Sequence, residues 1–164
     1  QGEINLTPLQ IANLGAIIAN RGYYYAPHVV RKIQGVQLKQ KYLKRHKVMG
    51  TPQAFNEVVA GMVSSAHGGT CAHAVHPGYT LAGKTGTAQN RGKDHSVFMG
   101  FAPVESPKIA IAVYVENGGF GAVYGVPIGS LMMEQYIKGG LSANSERMAA
   151  DFQRRRIAYG SGDR

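Results

Sequence analysis

Apolar positions recur at helical spacing in the first part of the chain and switch to strand spacing after residue 78. Behind Thr7-Pro8, a hydroxyl N-cap followed by proline at the first helical position, Leu9, Ile11, Ala12, Leu14, Ala16, Ile17 and Ile18 form a wide apolar face. Asn20-Arg21-Gly22 ends this predicted helix. Residues 23–33 are aromatic and β-branched and read as extended, with Pro27 marking an edge or irregular strand. Residues 35–50 are basic and polar, which predicts a surface hairpin or loop. A second helix opens at Thr51-Pro52, carries Phe55, Val58, Val59, Met62 and Val63, and runs to about His67, where Gly68-Gly69 stops it.

From Tyr79 the period becomes two, giving strands over 79–89, 96–103 and 108–116. Their links, 90–94 and 104–107, have turn composition, and connections this short imply antiparallel pairing. Residues 109–115 are almost unbroken apolar, as in a strand covered on both faces. A glycine-rich loop over 117–125 leads to a third helix over 127–137, with Ile128, Leu131, Met132, Tyr136 and Ile137 expected to point inward. Gly139-Gly140 ends it, and 141–164 reads as a loosely ordered tail. The expected fold class is α+β: an antiparallel sheet flanked by helices, in one unit over 1–140.

A length of 164 residues and 44% hydrophobic content suit one domain with a real core and exclude wholesale disorder. Lys plus Arg outnumber Asp plus Glu 18 to 9, a balance that favours acidic partners: nucleic acid, an anionic membrane surface or carboxylate-bearing substrates. Much of this charge lies in 31–47 and in Arg154-Arg155-Arg156. A single cysteine, Cys71, excludes an internal disulfide. The sequence shows no apolar run of transmembrane length and no signal peptide. Because it opens in mid-motif at Gln1-Gly2-Glu3, the expectation is a piece of a longer protein.

Three functional readings fit poorly. Gly78 to Thr85 spells the phosphate-loop pattern G-x-x-x-x-G-K-T, but that loop needs a strand before its first glycine and a helix opening at its lysine. Here the apolar strand lies inside the supposed loop, and Gly86, Asn90 and Gly92 will not start a helix. His67, Cys71, His73 and His76 are all zinc-ligand types, yet their spacing matches no zinc motif, so no metal is expected. Nor does a nucleic-acid-binding motif accompany the basic stretch 31–47 with Tyr42, so no nucleic acid is expected either.

The fourth reading centres on Lys84-Thr85-Gly86-Thr87. Strand alternation puts Lys84 and Gly86 on one face and Thr85 and Thr87 on the other, and the glycine lets a ligand backbone approach. K-T-G on a cleft strand is the third motif of penicillin-recognising enzymes, beside S-x-x-K and S-x-N. Further blocks occur in matching order: Gly2-Glu3, Thr7-Pro8-Leu9-Gln10, Asn20-Arg21-Gly22, Pro27-His28-Val29-Val30, Gly69-Thr70 and Gly100-Phe101-Ala102-Pro103. Together they resemble the C-terminal half of class B penicillin-binding protein transpeptidase domains, over about residues 1 to 138. Asp94-His95-Ser96 and the run from Val115 to Gly121 are similar to the cell-elongation type, penicillin-binding protein 2.

The resemblance implies the C-terminal part of a β-lactamase-like transpeptidase fold and a peptidoglycan D,D-transpeptidase activity, without a cofactor. In that family a serine attacks the D-Ala-D-Ala end of a stem peptide, another stem's amine resolves the acyl-enzyme, and β-lactams acylate the same serine. By resemblance Lys84 organises protons and charge, Thr85 and Thr87 contact the substrate carboxylate, Gly86 lies along the extended substrate, and the residue 87 amide completes an oxyanion hole. Partners implied are stem peptides, β-lactams and the wall-synthesis proteins of cell elongation. The implied location is the outer, periplasmic side of the cytoplasmic membrane. The departure is plain: no serine here is followed three residues later by lysine, and Ser142-Ala143-Asn144, though S-x-N in form, follows K-T-G. The nucleophile is therefore expected upstream, and this chain alone is expected not to acylate. Half a domain would expose sheet and helix surfaces and invite self-association. The alternative is a non-catalytic fragment or binding module in which K-T-G is only a strand edge.

Overall fold

The computed structural model describes residues 3–74 and 78–157. Helix α1 (Pro8–Ala19) starts where its cap predicts. The Thr7 side chain accepts from the Gln10 amide at 3.3 Å, and the Thr7 amide donates to Gln10 Oε1 at 2.8 Å. This is a reciprocal capping box. The extended stretch after it contracts to β1 (Tyr23–Tyr25), and the basic segment forms a short helix, α2 (Gln40–Leu43), then β2 (Arg45–Lys47). β1 and β2 pair antiparallel, with Tyr23 opposite Lys47 and Tyr25 opposite Arg45, so residues 35–50 do not fold into a hairpin of their own; their one strand pairs with β1.

Helix α3 (Pro52–Gly68) is capped by Thr51, whose hydroxyl accepts the Ala54 amide at 3.1 Å. Then come β3 (Ala82–Ala88), β4 (His95–Ala102) and β5 (Ile109–Val115), an antiparallel meander in the order β3-β4-β5. Helices lie on both faces of this sheet. Ile18 and Ala19 of α1 and Val59 and Met62 of α3 pack with Ala82 and Phe101 on one face. On the other, α4 (Gly125–Lys138) buries Val126 and Met133 against Leu81, Phe98, Ile111 and Val113. The α+β reading therefore holds, with three layers.

The α4 interface sits differently from the expected apolar stripe. Met132 and Tyr136 are 54% and 63% exposed, whereas Gly125, Gly129, Ser130 and Glu134 are buried. The reason is backbone proximity. A Cβ added at Gly129 would lie 2.5 Å from Phe98 Cδ1, and one at Gly125 would lie 2.9 Å from Phe98 Cβ. The helix thus turns its small-residue face to the sheet and lets the Phe98 ring fill the gap.

The segment read as a loosely ordered tail holds a further helix, α5 (Ala143–Arg154). Ser142, suspected as part of an S-x-N element only by its spelling, is its N-cap: the hydroxyl accepts the Ser145 amide at 3.4 Å. The Ser142 amide donates to Glu134 Oε1 at 3.0 Å, tying this helix to α4. At its far end Phe152 meets Tyr124 edge-on at 5.7 Å, and Arg155 lies 4.1 Å over the Phe152 ring. The expectation failed because α5 is polar on average and only Ser145 is buried, which hid the helical spacing of Met148, Ala149 and Phe152.

Glu134 is 2% exposed, and among the described residues neither its Oε2 nor the buried Tyr79 hydroxyl has a hydrogen-bond partner. Burial, and secondarily the Glu134 charge, push the Tyr79 phenol up from 10.0 to about 12.

Two outcomes follow from this packing. Gly129→Ala should gain the roughly 1 kcal/mol of helix propensity but lose more by overpacking against Phe98, where costs run about 1–3 kcal/mol. Urea unfolding should show a lower midpoint than wild type, with Phe98→Ala costing about 3–5 kcal/mol. For Tyr79, the folded phenol holds its proton more tightly than the unfolded one. Its contribution is therefore intact below pH 10 and is lost as pH rises towards about 12. Urea midpoints measured across that window should fall more steeply for wild type than for Tyr79→Phe; parallel curves would count against the buried phenol.

Candidate functional site

β3 is an outer strand of the sheet, and among the described residues no strand pairs with its far edge. Its register places Lys84 opposite Met99, Thr85 opposite Phe98, Gly86 opposite Val97 and Thr87 opposite Ser96. The expected alternation of faces follows. The strand runs unbroken through Lys84-Thr85, and no helix opens at the lysine, so the phosphate-loop geometry is not formed.

Lys84 is exposed and its ammonium donates to the Thr85 carbonyl at 2.7 Å. It stands over a groove of about 630 Å³ whose apolar wall is Ile18, Val58, Met62 and Met99 and whose polar rim includes Ser64, Ser65 and Thr70. Thr85, half-buried, donates from its hydroxyl to Thr70 Oγ1 at 3.0 Å, and Thr70 lies 3.2 Å from Ser65 Oγ. A chain of three hydroxyls thus connects the end of α3 to the K-T-G strand. Thr70 was visible in the sequence only as part of a Gly-Thr block, with no sign of this contact. Gly69 makes the turn tight: a Cβ there would lie 2.9 Å from Ser65 Cα.

Behind Thr85 and Gly86 lies the glycine-rich loop after β5. A Cβ at Gly121 would fall 2.4 Å from the Val97 carbonyl oxygen and 2.7 Å from that of Gly86, so only glycine fits. Buried Ser96 fixes this loop, donating to the Phe120 carbonyl at 3.0 Å and accepting the Gly125 amide at 3.0 Å. His95 Nδ1 accepts the Asn117 amide at 3.0 Å, and the Gly119 amide donates to the Asp94 carbonyl at 2.7 Å. Asp94-His95-Ser96 and the 115–121 block, separate in sequence, therefore form one support under β3. Pairing a serine on one strand with a glycine loop twenty residues later is a tertiary fact that periodicity does not carry.

Of the four possible metal ligands, three lie among the described residues, and these form no common site. Cys71 is wholly buried in the core, His67 places Nδ1 at 3.0 Å from the Val63 carbonyl, and His76 lies outside the described residues. Among the described residues no group of three or more His, Cys, Asp or Glu is placed to hold a metal. Likewise no helix among them is long and apolar enough to cross a membrane.

What remains is a lysine on a strand edge with hydroxyls beside it, a groove below it, and a close-packed glycine support. The chain as a whole is similar to known proteins. A family model described as the penicillin binding protein transpeptidase domain matches residues 1–134. The peptidoglycan D,D-transpeptidase MrdA of Acinetobacter baumannii is 36% identical over 140 residues, 74% of this chain and 21% of that enzyme. The crystal structure of Pseudomonas aeruginosa PBP2 in complex with WCK 5153 superposes with a TM-score of 0.74 at 35% identity, covering 88% of this chain and 33% of that one. A complex between PBP2 and MreC from Helicobacter pylori gives 0.68 at 28% identity, over 86% of this chain and 26% of that one. This chain therefore spans a third or less of the length of the proteins it resembles. With the ordered blocks, the sheet register and a family match over most of its length, the chain belongs to the penicillin-binding protein transpeptidase domain family.

Proposed function

We propose that this chain supplies the K-T-G wall of a serine-type D,D-transpeptidase site that cross-links peptidoglycan stem peptides. The observation that carries the reading is the placement of Lys84 on an unpaired strand edge above a groove, with Thr85 held by Thr70. An extended peptide can add to such an edge through main-chain hydrogen bonds. The Lys84 ammonium then meets the carboxylate that ends a stem peptide or a β-lactam, a charge-assisted contact about twice as strong as a neutral one. Thr85 and Thr87 complete that carboxylate pocket, and the residue 87 amide faces the oxyanion that develops on the attacked carbonyl.

The chemistry is an acyl exchange. A serine oxygen forms a bond to the penultimate D-Ala carbonyl, and the terminal D-Ala departs as an amine after taking a proton. A second stem's amine then attacks the ester and returns the serine hydroxyl. No serine in this chain has the S-x-x-K spacing, so the nucleophile belongs to the remainder of a longer protein. By the same reading that protein sits on the outer side of the cytoplasmic membrane and works with wall-synthesis partners in cell elongation. The PBP2–MreC complex from Helicobacter pylori supports partners of that kind.

Fluorescent penicillin tests the reading directly. This chain alone should not become covalently labelled; stable labelling would mean its nucleophile is present after all. In the longer protein, Lys84→Ala should slow labelling by about 100-fold or more while the thermal midpoint stays near wild type. Labelling at the wild-type rate would remove Lys84 from the site. Gly86→Ala separates ligand approach from folding. Its Cβ would sit 3.2 Å from Val97 Cβ, a contact a small shift relieves. The variant should fold yet label more slowly, because the methyl stands on the Lys84 face where the ligand lies.

A further inference from the structure

The basic segment 31–47 is not used by the K-T-G site. It carries seven Lys or Arg and no Asp or Glu, so it holds most of the chain's net charge of +9. All seven are exposed. Among the described residues the ion pair formed is Arg155 with Asp151, so no described carboxylate neutralises the segment. An unpaired cluster this dense repels itself and creates a local positive field.

The cations are presented on an ordered aromatic surface. In the β1–β2 ribbon, Tyr23 faces Lys47 and Tyr25 faces Arg45, and alternation puts these four on one face. The Arg45 guanidinium lies 3.7 Å from the Tyr23 ring centre, and the Tyr23 and Tyr25 rings meet edge-on at 6.3 Å. Tyr24 and His46, on the opposite face, stack at 5.0 Å and stiffen the ribbon. Lys41 similarly lies 4.8 Å from the Tyr42 ring. The outward face is therefore tyrosine rings interleaved with permanent cations.

The ribbon is joined rigidly to the site. Val48 donates to the Gly22 carbonyl at 3.0 Å, Arg21 donates to Asn56 Oδ1 at 3.0 Å, and Gly22 and Gly50 both close on the Phe55 ring. These contacts fasten it to the first turns of α3, whose other end delivers Ser65 and Thr70. Ten helical residues separate Phe55 from Ser65, about 15 Å. A ligand touching both places must be longer than the tip of one stem peptide.

We infer that the β1–β2 ribbon with its flanking cations is a docking surface for the polymeric substrate: a glycan strand bearing carboxylate-terminated peptides. This inference rests on the proposed transpeptidase reading. Sugar rings present C–H faces that can lie against the exposed Tyr25 ring, since Arg45 already covers Tyr23, and each stem ends in a carboxylate that Lys and Arg receive. A lipid headgroup layer or a nucleic acid offers anionic phosphates instead, and the ordered Tyr–Arg face has no phosphate-specific feature beyond its charge.

The test uses the longer protein and purified, insoluble peptidoglycan sacculi, with binding read by co-sedimentation. Lys41→Gln, Lys44→Gln and Lys47→Gln together should weaken binding about tenfold. Wild-type binding should fall as ionic strength rises from about 0.05 to about 0.5 M. A control with the same charge loss elsewhere, Lys93→Gln, Lys108→Gln and Arg147→Gln, should bind as wild type. The ribbon variant should react with fluorescent penicillin at the wild-type rate, since that small probe bypasses the ribbon, but cross-link polymeric strands more slowly. Equal binding by wild type and ribbon variant, equal loss in ribbon variant and control, or binding to phosphatidylglycerol vesicles or duplex DNA in preference to sacculi would each overturn the inference. If wild type itself fails to label with penicillin, the active-site reading falls while co-sedimentation still reports on the ribbon.

Discussion

The Phe98 ring sets the spacing between the K-T-G strand and α4. Four glycines surround it: added Cβ atoms at Gly83, Gly100, Gly125 and Gly129 would each come within 2.9 Å of its atoms. Two of these lie in the sheet and two on α4, so one side chain sits between strands and helix and sets the depth at which the helix settles. Packing this close leaves no room for relaxation, and buried aromatic burial is worth several kcal/mol. Phe98 is also the cross-strand partner of Thr85. The position of the K-T-G strand relative to α4 is therefore a consequence of core packing.

From that core outward, the site is assembled by short polar links between distant segments. The Ser65–Thr70–Thr85 hydroxyls join the end of α3 to β3, and Ser96 joins β4 to the glycine loop beneath Thr85. Individually such bonds contribute about 1 kcal/mol. Their value lies in direction, because they hold the strand edge in one orientation without placing a side chain in the groove. Lys84 remains exposed at the rim, its ammonium donating to the carbonyl of its own neighbour, Thr85.

The molecule also separates its charges by task. A lone ammonium stands at the groove, a dense uncompensated group sits on the ribbon some way along α3, and the buried carboxylate of Glu134 serves the fold by accepting the Ser142 amide. Leaving one Glu134 oxygen and the Tyr79 hydroxyl without partners is costly, since buried polar groups are normally hydrogen-bonded. That cost falls at Glu134 on α4 and at Tyr79 just before β3.

The sequence by itself determined the helices with Thr-Pro starts, the three-stranded meander, and the K-T-G strand with its alternating faces. Each of these rests on local chemistry: a cap, a period of two, or a turn too short for anything but antiparallel return. Ordered blocks added the family. Tertiary structure alone decided which face of α4 is buried, because the determining contact is a glycine pair against a ring from another element, and apolar periodicity pointed instead at Met132 and Tyr136. It alone showed what holds α5, a cap, Glu134 and Tyr124, in a segment whose mostly polar composition hid its amphipathic spacing. Thr70 and Ser96 likewise became part of the site only through contacts spanning 15 to 29 residues, which no local pattern encodes.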